Sequence, residues 1–188
     1  CARYFNYIFN GKDIYNNIYI KTKSGEQYTY NILHVLEYTS ERKRMSVIVK
    51  TVSDGKIKVF TKGADNVIST RLASSNGKTH LNTIDKNLLR FAKKGLRTLM
   101  IAYRELNENV YNKFEEVYKS AMNHPLEKEM LLNKASDLIE KDLILLGATA
   151  IKDQLQDNID EVLQNFIDTG IKVWVLTGDK MDTAKSIA

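Results

Sequence analysis

Two runs rich in β-branched residues, 45–52 and 56–61, constrain the fold of this chain more than any other feature. Asp54 and Gly55 lie between them, and Asp-Gly between such runs is a strong signal for a β-hairpin closed by a two-residue turn. The sequence therefore predicts an antiparallel pair of strands at this point of the chain.

The register of this hairpin decides which side chains become neighbours. If the Asp-Gly pair alone forms the turn, counting back along the strands places Lys62 opposite Val47. Residues 62–64, with the sequence KGA, then lie beside residues 42–46, with the sequence RKRMS. The hairpin is thus expected to gather several cations at one end of a sheet.

The first 151 residues otherwise mix short strands with helices. Residues 4–38 are rich in Tyr, Ile and Phe, with turn residues at Asn10-Gly11 and Ser24-Gly25, which is typical of short antiparallel strands. Further strands are predicted over 96–106 and 142–151, the latter fully buried, and helices over 81–94, from near Asn107 and from Pro125. The prediction is an α+β unit, an antiparallel β-sheet flanked by helices.

The pattern changes near the end of the chain. A helix over 157–169 precedes a strand over 171–176 and the turn Thr177-Gly178-Asp179, an order typical of a parallel, doubly wound sheet. Such a turn can hold a phosphate, since backbone N–H groups and a helix N-terminus favour an anion. The threonine offers a hydroxyl, the glycine allows close approach, and the aspartate can cap the helix. Plain turn and cap chemistry explains the same three residues.

Composition narrows the class of protein. The chain is 43% hydrophobic and 27% charged, an ordinary globular composition. Its longest strongly apolar run, Leu143–Ile151, is about half as long as a membrane crossing requires, and no signal peptide is visible, so we expect a soluble piece. Cys1 is the only cysteine and the three histidines are far apart, so no disulfide or metal site is predicted. The net charge of +5 suits nucleic acid, an anionic membrane or a phosphate-bearing ligand.

Four side chains could serve a nucleotide. Tyr38 offers a flat ring for a base, and Lys43 and Lys62 offer cations for phosphates at one end of the hairpin. Arg97 lies on a predicted buried strand, where an arginine needs a partner or a ligand. In the alternative interpretation the tyrosine is a core aromatic and both lysines are merely solvated. The residues by themselves leave both interpretations open.

Five stretches, taken in order, resemble the type IV P-type ATPases, the phospholipid flippases. They are VLEYTSERKRMSVIV, FTKGADNVI, GLRTLMIAYREL, LLGATAIKDQLQ and GIKVWVLTGDKMDTA. KGA and TGD indicate any P-type ATPase, whereas ERKRMSVIV, GLRT with IAYREL, and ATAI with the following D and LQ point to the flippase branch. The resemblance runs from about residue 25 to the last residue and is fainter before that.

The resemblance implies a role for each of the four nucleotide candidates. Tyr38 stands where the family has a phenylalanine that stacks on adenine, and Lys43 is at the basic position of the same motif, near the nucleotide. Lys62 is the lysine of KGA, whose stem lines the adenine pocket. Arg97 corresponds to an arginine that reaches the phosphates. ATP is therefore the expected ligand.

The resemblance also implies a division of the chain. Residues 1–152 would form the nucleotide-binding domain, 153–156 a hinge, and 157–188 part of a haloacid-dehalogenase-like phosphorylation domain. Thr177, Gly178 and Asp179 would belong to that domain's catalytic site, where the threonine holds the transferred phosphoryl group. The family's usual glycine and proline do not follow the hinge here, so the hinge is expected to be less stiff.

In the whole pump, the resemblance implies, an aspartate of a DKTGT motif attacks the γ-phosphate of ATP with the help of Mg²⁺, and the cycle drives phospholipid transport. The sequence contains neither DKTGT nor the later magnesium-binding aspartate pair, so the chain would be a cytoplasmic piece of an integral membrane protein that binds ATP without turnover. An accessory subunit would act through the membrane part. The alternatives are a cation-transporting P-type ATPase, a haloacid-dehalogenase-type phosphatase and, supported by charge alone, a nucleic-acid-binding module.

Overall fold

The computed structural model describes residues 2–74, 81–152 and 156–174, and beyond these residues 176, 177, 181, 184 and 185. The chain divides into two compact units. The first comprises residues 1–80 and 100–147, and the second comprises residues 81–99 and 148–188.

Seven strands form one sheet in chain order, and the five pairings from the first strand to the sixth are antiparallel. The strands are β1 Tyr7–Lys12, β2 Asn17–Thr22, β3 Gln27–Leu36, β4 Arg44–Thr51, β5 Ile57–Gly63, β6 Leu96–Leu106 and β7 Ile144–Lys152. The helices are α1 Asp65–Ser69, α2 Leu81–Ala92, α3 Glu108–Asn123, α4 Lys128–Ile139 and α5 Ile159–Asp168, and a short 3-10 turn covers Ala2–Phe5. The predicted α+β class, an antiparallel sheet with helices, is confirmed.

The predicted hairpin forms, but its turn is longer than predicted. Thr51 and Lys56 close the loop through an N–H to carbonyl bond of 2.9 Å, so four residues separate the paired strands. Gly55 takes a left-handed φ of 69° within that loop, which is why glycine is favoured there. The register therefore pairs Lys62 with Met45, and the prediction of Val47 as its partner was wrong. Because the shift is two residues, every side chain stays on the predicted face of the sheet.

The expected neighbourhood of KGA and RKRMS is confirmed by the same register. Gly63 pairs with Arg44, and the Ala64 N–H donates to the Lys43 carbonyl at 3.0 Å. The two short stretches are thus joined by backbone hydrogen bonds at the end of β4 and β5.

Side chains of β4 and β5 alternate between two faces of the sheet. Ser46, Ile48, Val59 and Thr61 are buried on one face, which we call the helix face because α3 and α4 contact it. Met45, Val47, Phe60 and Lys62 fall on the opposite, outer face and are less buried. Most of the buried side chains of β4 and β5 therefore lie on the helix face, although Val49 is also buried on the outer face. The outer face around Met45 and Lys62 is less covered and can accept a ligand.

The contact between α3 and β3 is built around His34. Its ring contacts Phe114, which is fully buried, at a centroid distance of 5.3 Å, and Tyr118 at 4.5 Å. Its Nε2 atom lies 2.7 Å from Glu115 Oε2. The pKa of Glu115 is lowered, because hydrogen bonds from His34 and Lys119 outweigh burial, which alone would raise it. This contact ties the helix layer to the sheet.

Two sequence predictions near the chain start and middle need correction. Gly11, predicted in a turn, lies within β1 at φ 116°, where the pairing with β2 is irregular, so the residue forms a bulge. Pro125, predicted in the first turn of a helix, precedes α4, which begins at Lys128. By contrast Asn107 caps α3 as expected, since its side chain accepts from the Val110 N–H at 2.9 Å.

Two further predictions differ toward the chain end. β7 was predicted to be fully buried, yet its exposure alternates along the strand, because it is the last strand in the sheet order and has a neighbour on one side only. The strand predicted over 171–176 is not present at residues 171–174 and 176, which are irregular. No strand pairs with them among the described residues, and a strand without a partner leaves its backbone groups unpaired.

Candidate functional site

A pocket of about 200 Å³ opens on the outer face of the sheet. Three adjacent strands of the first unit line it with Met45, Val47, Phe60, Thr61, Lys62 and Ile101. The pairings explain the set, since Lys62 lies between Met45 on β4 and Ile101 on β6. The pocket is thus a direct product of the hairpin register.

The walls of the outer-face pocket are mostly apolar. Phe60 is paired with Tyr103 on β6, and their rings stack at 6.0 Å with an interplanar angle of 24°. A flat apolar wall with a few polar groups at its edge is the usual form of a site for a planar ligand such as a nucleobase. Lys62 supplies a cation there, and its exposure leaves the ammonium able to reach phosphate oxygens.

Tyr38 lies two residues beyond the end of β3, and 57% of it is exposed. The alternative interpretation, in which this ring is a core aromatic, is therefore wrong. An exposed ring can stack on a base, while its hydroxyl remains in water.

Lys43 occupies the connection between β3 and β4. It is exposed, with a left-handed φ of 48°, and its N–H donates to the Thr39 carbonyl at 2.8 Å. Lysine seldom adopts this conformation unless the surroundings impose it. The residues on either side of it provide that constraint.

Arg42 and Arg44 both bind Glu140, which is fully buried at the C-terminal end of α4. Arg42 Nη2 lies 2.5 Å from Glu140 Oε1, and Arg44 Nε lies 2.6 Å from Glu140 Oε2. Charge-assisted pairs of this length are strong hydrogen bonds, and a buried carboxylate requires them. The two arginines of RKRMS therefore anchor the chain on the helix face, and they do not serve the outer-face pocket.

Sequence reasoning missed most of the residues that line the pocket, and it missed Glu140. Met45, Val47 and Phe60 could have been found from Lys62 by strand alternation together with the register, because all four share one face. Glu140 is distant in sequence from the arginines that it binds, so no local pattern indicated the pairing.

The other predicted site residues belong to the second unit. Arg97 is exposed on β6, and Thr177 is described without regular structure. Gly178 and Asp179, like residues 153–155 of the predicted hinge, lie outside the described residues. The hairpin brings together Lys43 and Lys62; the structure describes Arg97 and Thr177 only within their own unit.

The described residues contain neither a cluster of metal ligands nor a helix able to cross a membrane. Across the described ranges, no group of three or more His, Cys, Asp and Glu side chains could hold a metal ion. Within the same ranges, every helix is too short or too polar to cross a membrane.

Comparison with known proteins gives consistent matches. Residues 7–158 match the family model of the P-type ATPase cytoplasmic domain N. Phospholipid-transporting ATPase 10 of Arabidopsis thaliana is 47% identical over 167 residues, which are 87% of this chain and 14% of that protein. A phospholipid-transporting ATPase of Schizosaccharomyces pombe is 45% identical over 163 residues, 87% of this chain and 13% of that protein. The chain thus spans about one seventh of the length of these relatives.

Proposed function

This chain belongs to the P-type ATPases, as a cytoplasmic domain N of that family, and from this membership we propose that it binds ATP for a phospholipid-transporting member. The observation that carries the proposal is the apolar outer-face pocket with Lys62 in its lining. The same unit also contains the exposed ring of Tyr38. Relatives named as phospholipid-transporting favour this function over cation transport.

In the first unit we assign three roles. Tyr38 stacks on the adenine ring, and its 57% exposure supports this role. Lys62 packs its stem along the base and directs its ammonium toward the phosphates, which its place in the pocket lining supports. Lys43 adds a second cation from the connection that the two buried arginines hold.

In the second unit the assignments rest on the family resemblance. Arg97 would bind the nucleotide phosphates, and its exposure is compatible with that role. Thr177, Gly178 and Asp179 would belong to a haloacid-dehalogenase-like phosphorylation domain. We propose residues 1–152 as the nucleotide-binding domain, 153–156 as the hinge and 157–188 as part of the phosphorylation domain; the end of the family match at residue 158 supports a change in this region.

In the whole protein, ATP would phosphorylate an aspartate and the resulting cycle would move phospholipid across a membrane, with an accessory subunit acting on the membrane part. This sequence contains no DKTGT, so we expect the chain to bind ATP without hydrolysing it. Mg²⁺ would accompany ATP in the pump. Since the described residues offer no metal cluster, we assign no magnesium ligand to this chain.

Calorimetric titration with ATP tests the proposal. Tyr38→Ala should weaken binding by roughly 5- to 150-fold, because stacking of a base on an aromatic ring contributes about 1–3 kcal/mol. Tyr38→Phe should bind ATP like the original chain, since it keeps the ring. Neither variant should change the melting temperature much, because the side chain is mostly exposed.

A lysine pair provides the matched control for charge. Lys62→Met should weaken ATP binding, whereas Lys58→Met, on the same strand and face but outside the pocket lining, should not. Equal effects of the two lysine variants, or unchanged heats for Tyr38→Ala, would contradict the assignment of the pocket to the nucleotide.

A further inference from the structure

The carboxylate of Glu140 is the centre of a hydrogen-bond network on the helix face. Besides the two arginines, it accepts from Ser46 Oγ at 2.6 Å, and Ser46 Oγ lies 2.8 Å from Thr61 Oγ1. Its backbone carbonyl accepts from Arg71 Nη1 at 3.1 Å. One buried carboxylate therefore ties α4 to the ends of both β4 and β5.

Met45 and Lys62 are paired across β4 and β5 and both line the outer-face pocket. The network around Glu140 contacts their neighbours in the chain. Met45 lies between Arg44 and Ser46, and both of these donate directly to Glu140. Lys62 lies between Thr61, which the serine contacts, and Gly63, which packs against the backbone of Arg44. Both chain neighbours of Met45 and one of those of Lys62 are thus held from the helix face, and the other, Gly63, is paired with the held Arg44.

We infer that Glu140 is a positioning residue for the outer-face pocket: it sets the placement of Met45 and Lys62 from the opposite side of the sheet. Strand side chains alternate, so fixing one face of a strand fixes the direction of the side chains on the other. The carboxylate also clamps Arg42 and Arg44 on either side of Lys43, which accounts for the left-handed backbone of that lysine. This inference rests on the proposed function, since the pocket is the one assigned there to ATP.

The variant Glu140→Gln tests the inference, because it keeps the size of the side chain and removes the charge that holds both arginines. We expect roughly five- to twentyfold weaker ATP binding, as is usual when members of one hydrogen-bond network are uncoupled. Asp137→Asn is the matched control. That carboxylate lies on the same helix and contacts Arg44 at 3.4 Å and Arg71 at 3.0 Å, but it is 60% exposed, so its loss should leave the affinity unchanged.

A purely structural role would lower stability without acting through the pocket, and a double-mutant cycle separates the two. If Glu140 acts through Lys62, Glu140→Gln should weaken binding by no more than about twofold in a Lys62→Met background. Additive effects would overturn the inference. If circular dichroism shows that Glu140→Gln does not fold, Ser46→Ala is the variant to test, because it removes the link to Thr61 without removing a charge. An ATP affinity of Ser46→Ala equal to that of the original chain would then overturn the inference.

Failure of this inference can be distinguished from failure of the proposed function. ATP binding that depends on Tyr38 and Lys62 but not on Glu140 or Ser46 would overturn this inference and leave the proposed function standing. No ATP binding by the original chain would overturn the proposed function, and the inference with it.

Discussion

Gly63, the centre of KGA, gives the sharpest test of the contact between β4 and β5. A Cβ atom added there would lie 2.6 Å from the Lys43 carbonyl oxygen and 2.7 Å from Arg44 Cβ. Real Cβ atoms essentially never approach other atoms within 3.0 Å, and one of these neighbours is backbone that cannot rotate away. The glycine is therefore required by space, and Gly63→Ala must push the two strands apart beside Lys62.

The magnitude follows from two opposing effects. Overpacking a tight site costs about 1–3 kcal/mol. Alanine recovers about 0.4–1 kcal/mol by restricting the unfolded chain. The net loss should be roughly 0.5–2 kcal/mol, which lowers the melting temperature of a chain of this size by about 1–8 °C. ATP binding should weaken by roughly threefold or more, because small misplacements of binding groups are costly.

Urea denaturation and ATP calorimetry together measure both effects. Gly25→Ala is the matched control, because its added Cβ meets nothing within 4 Å while its φ of +89° strains any side chain. That variant should lose stability and keep its ATP affinity. If Gly63→Ala keeps both the stability and the ATP affinity of the original chain, the close approach of the strands does not shape the pocket and the reasoning fails.

Three further predictions concern the cluster between α3 and β3. The pKa of Glu115 in the folded state lies below its ordinary value of 4.5, so its stabilisation of the fold is present above pH 4.5 and is lost as pH falls through the lowered pKa. The midpoint of urea denaturation should therefore fall less at acidic pH in Glu115→Gln than in the original chain. Burial, and secondarily the Glu115 charge, raises the pKa of Tyr111 to about 12. Its contribution to folding stability is therefore full below pH 10 and is lost as pH rises toward 12. In a titration followed by phenolate absorbance, Tyr111→Phe should lack the step at the highest pH. Phe114→Ala should cost about 3–5 kcal/mol in urea denaturation, since the ring is fully buried, and a loss under 1 kcal/mol would contradict that packing.

The hairpin shows which part of the site could be predicted from sequence. Alternation in the runs around Asp54 and Gly55 is a local property, so the face of Lys62 and its closeness to RKRMS were predictable. The loop length was not, because Asp-Gly also occurs in longer loops, and here the Thr51 N–H bonds to Lys56 instead of continuing to a two-residue turn. The partner of Lys62 consequently moved from Val47 to Met45 while the face stayed the same.

Burial of β7 and the state of residues 171–174 were not predictable for a different reason. An apolar run such as 142–151 predicts that a strand forms. The exposure of that strand depends on how many strands lie beside it, which is a property of the whole sheet. A run of β-branched residues likewise becomes a strand only when another strand pairs with it. Tertiary context decided both outcomes.

The stretch RKRMS illustrates why a basic motif at a ligand site need not consist of ligand-binding residues. In β4 the side chains alternate, so Arg44 and Ser46 face the helix layer and Met45 faces the pocket, while Arg42 and Lys43 lie in the connection that precedes the strand. Two of the three cations are held by the buried carboxylate on the helix face, so the charge that this stretch can offer to phosphates comes from Lys43 alone, together with Lys62 from the paired strand. A count of basic residues therefore overstates the electrostatic attraction of the outer-face pocket, and its affinity should come mainly from apolar contact and stacking. On this argument ATP binding should weaken only modestly between low and moderate salt, because the attraction to exposed cations is screened while the stacking of a base is not.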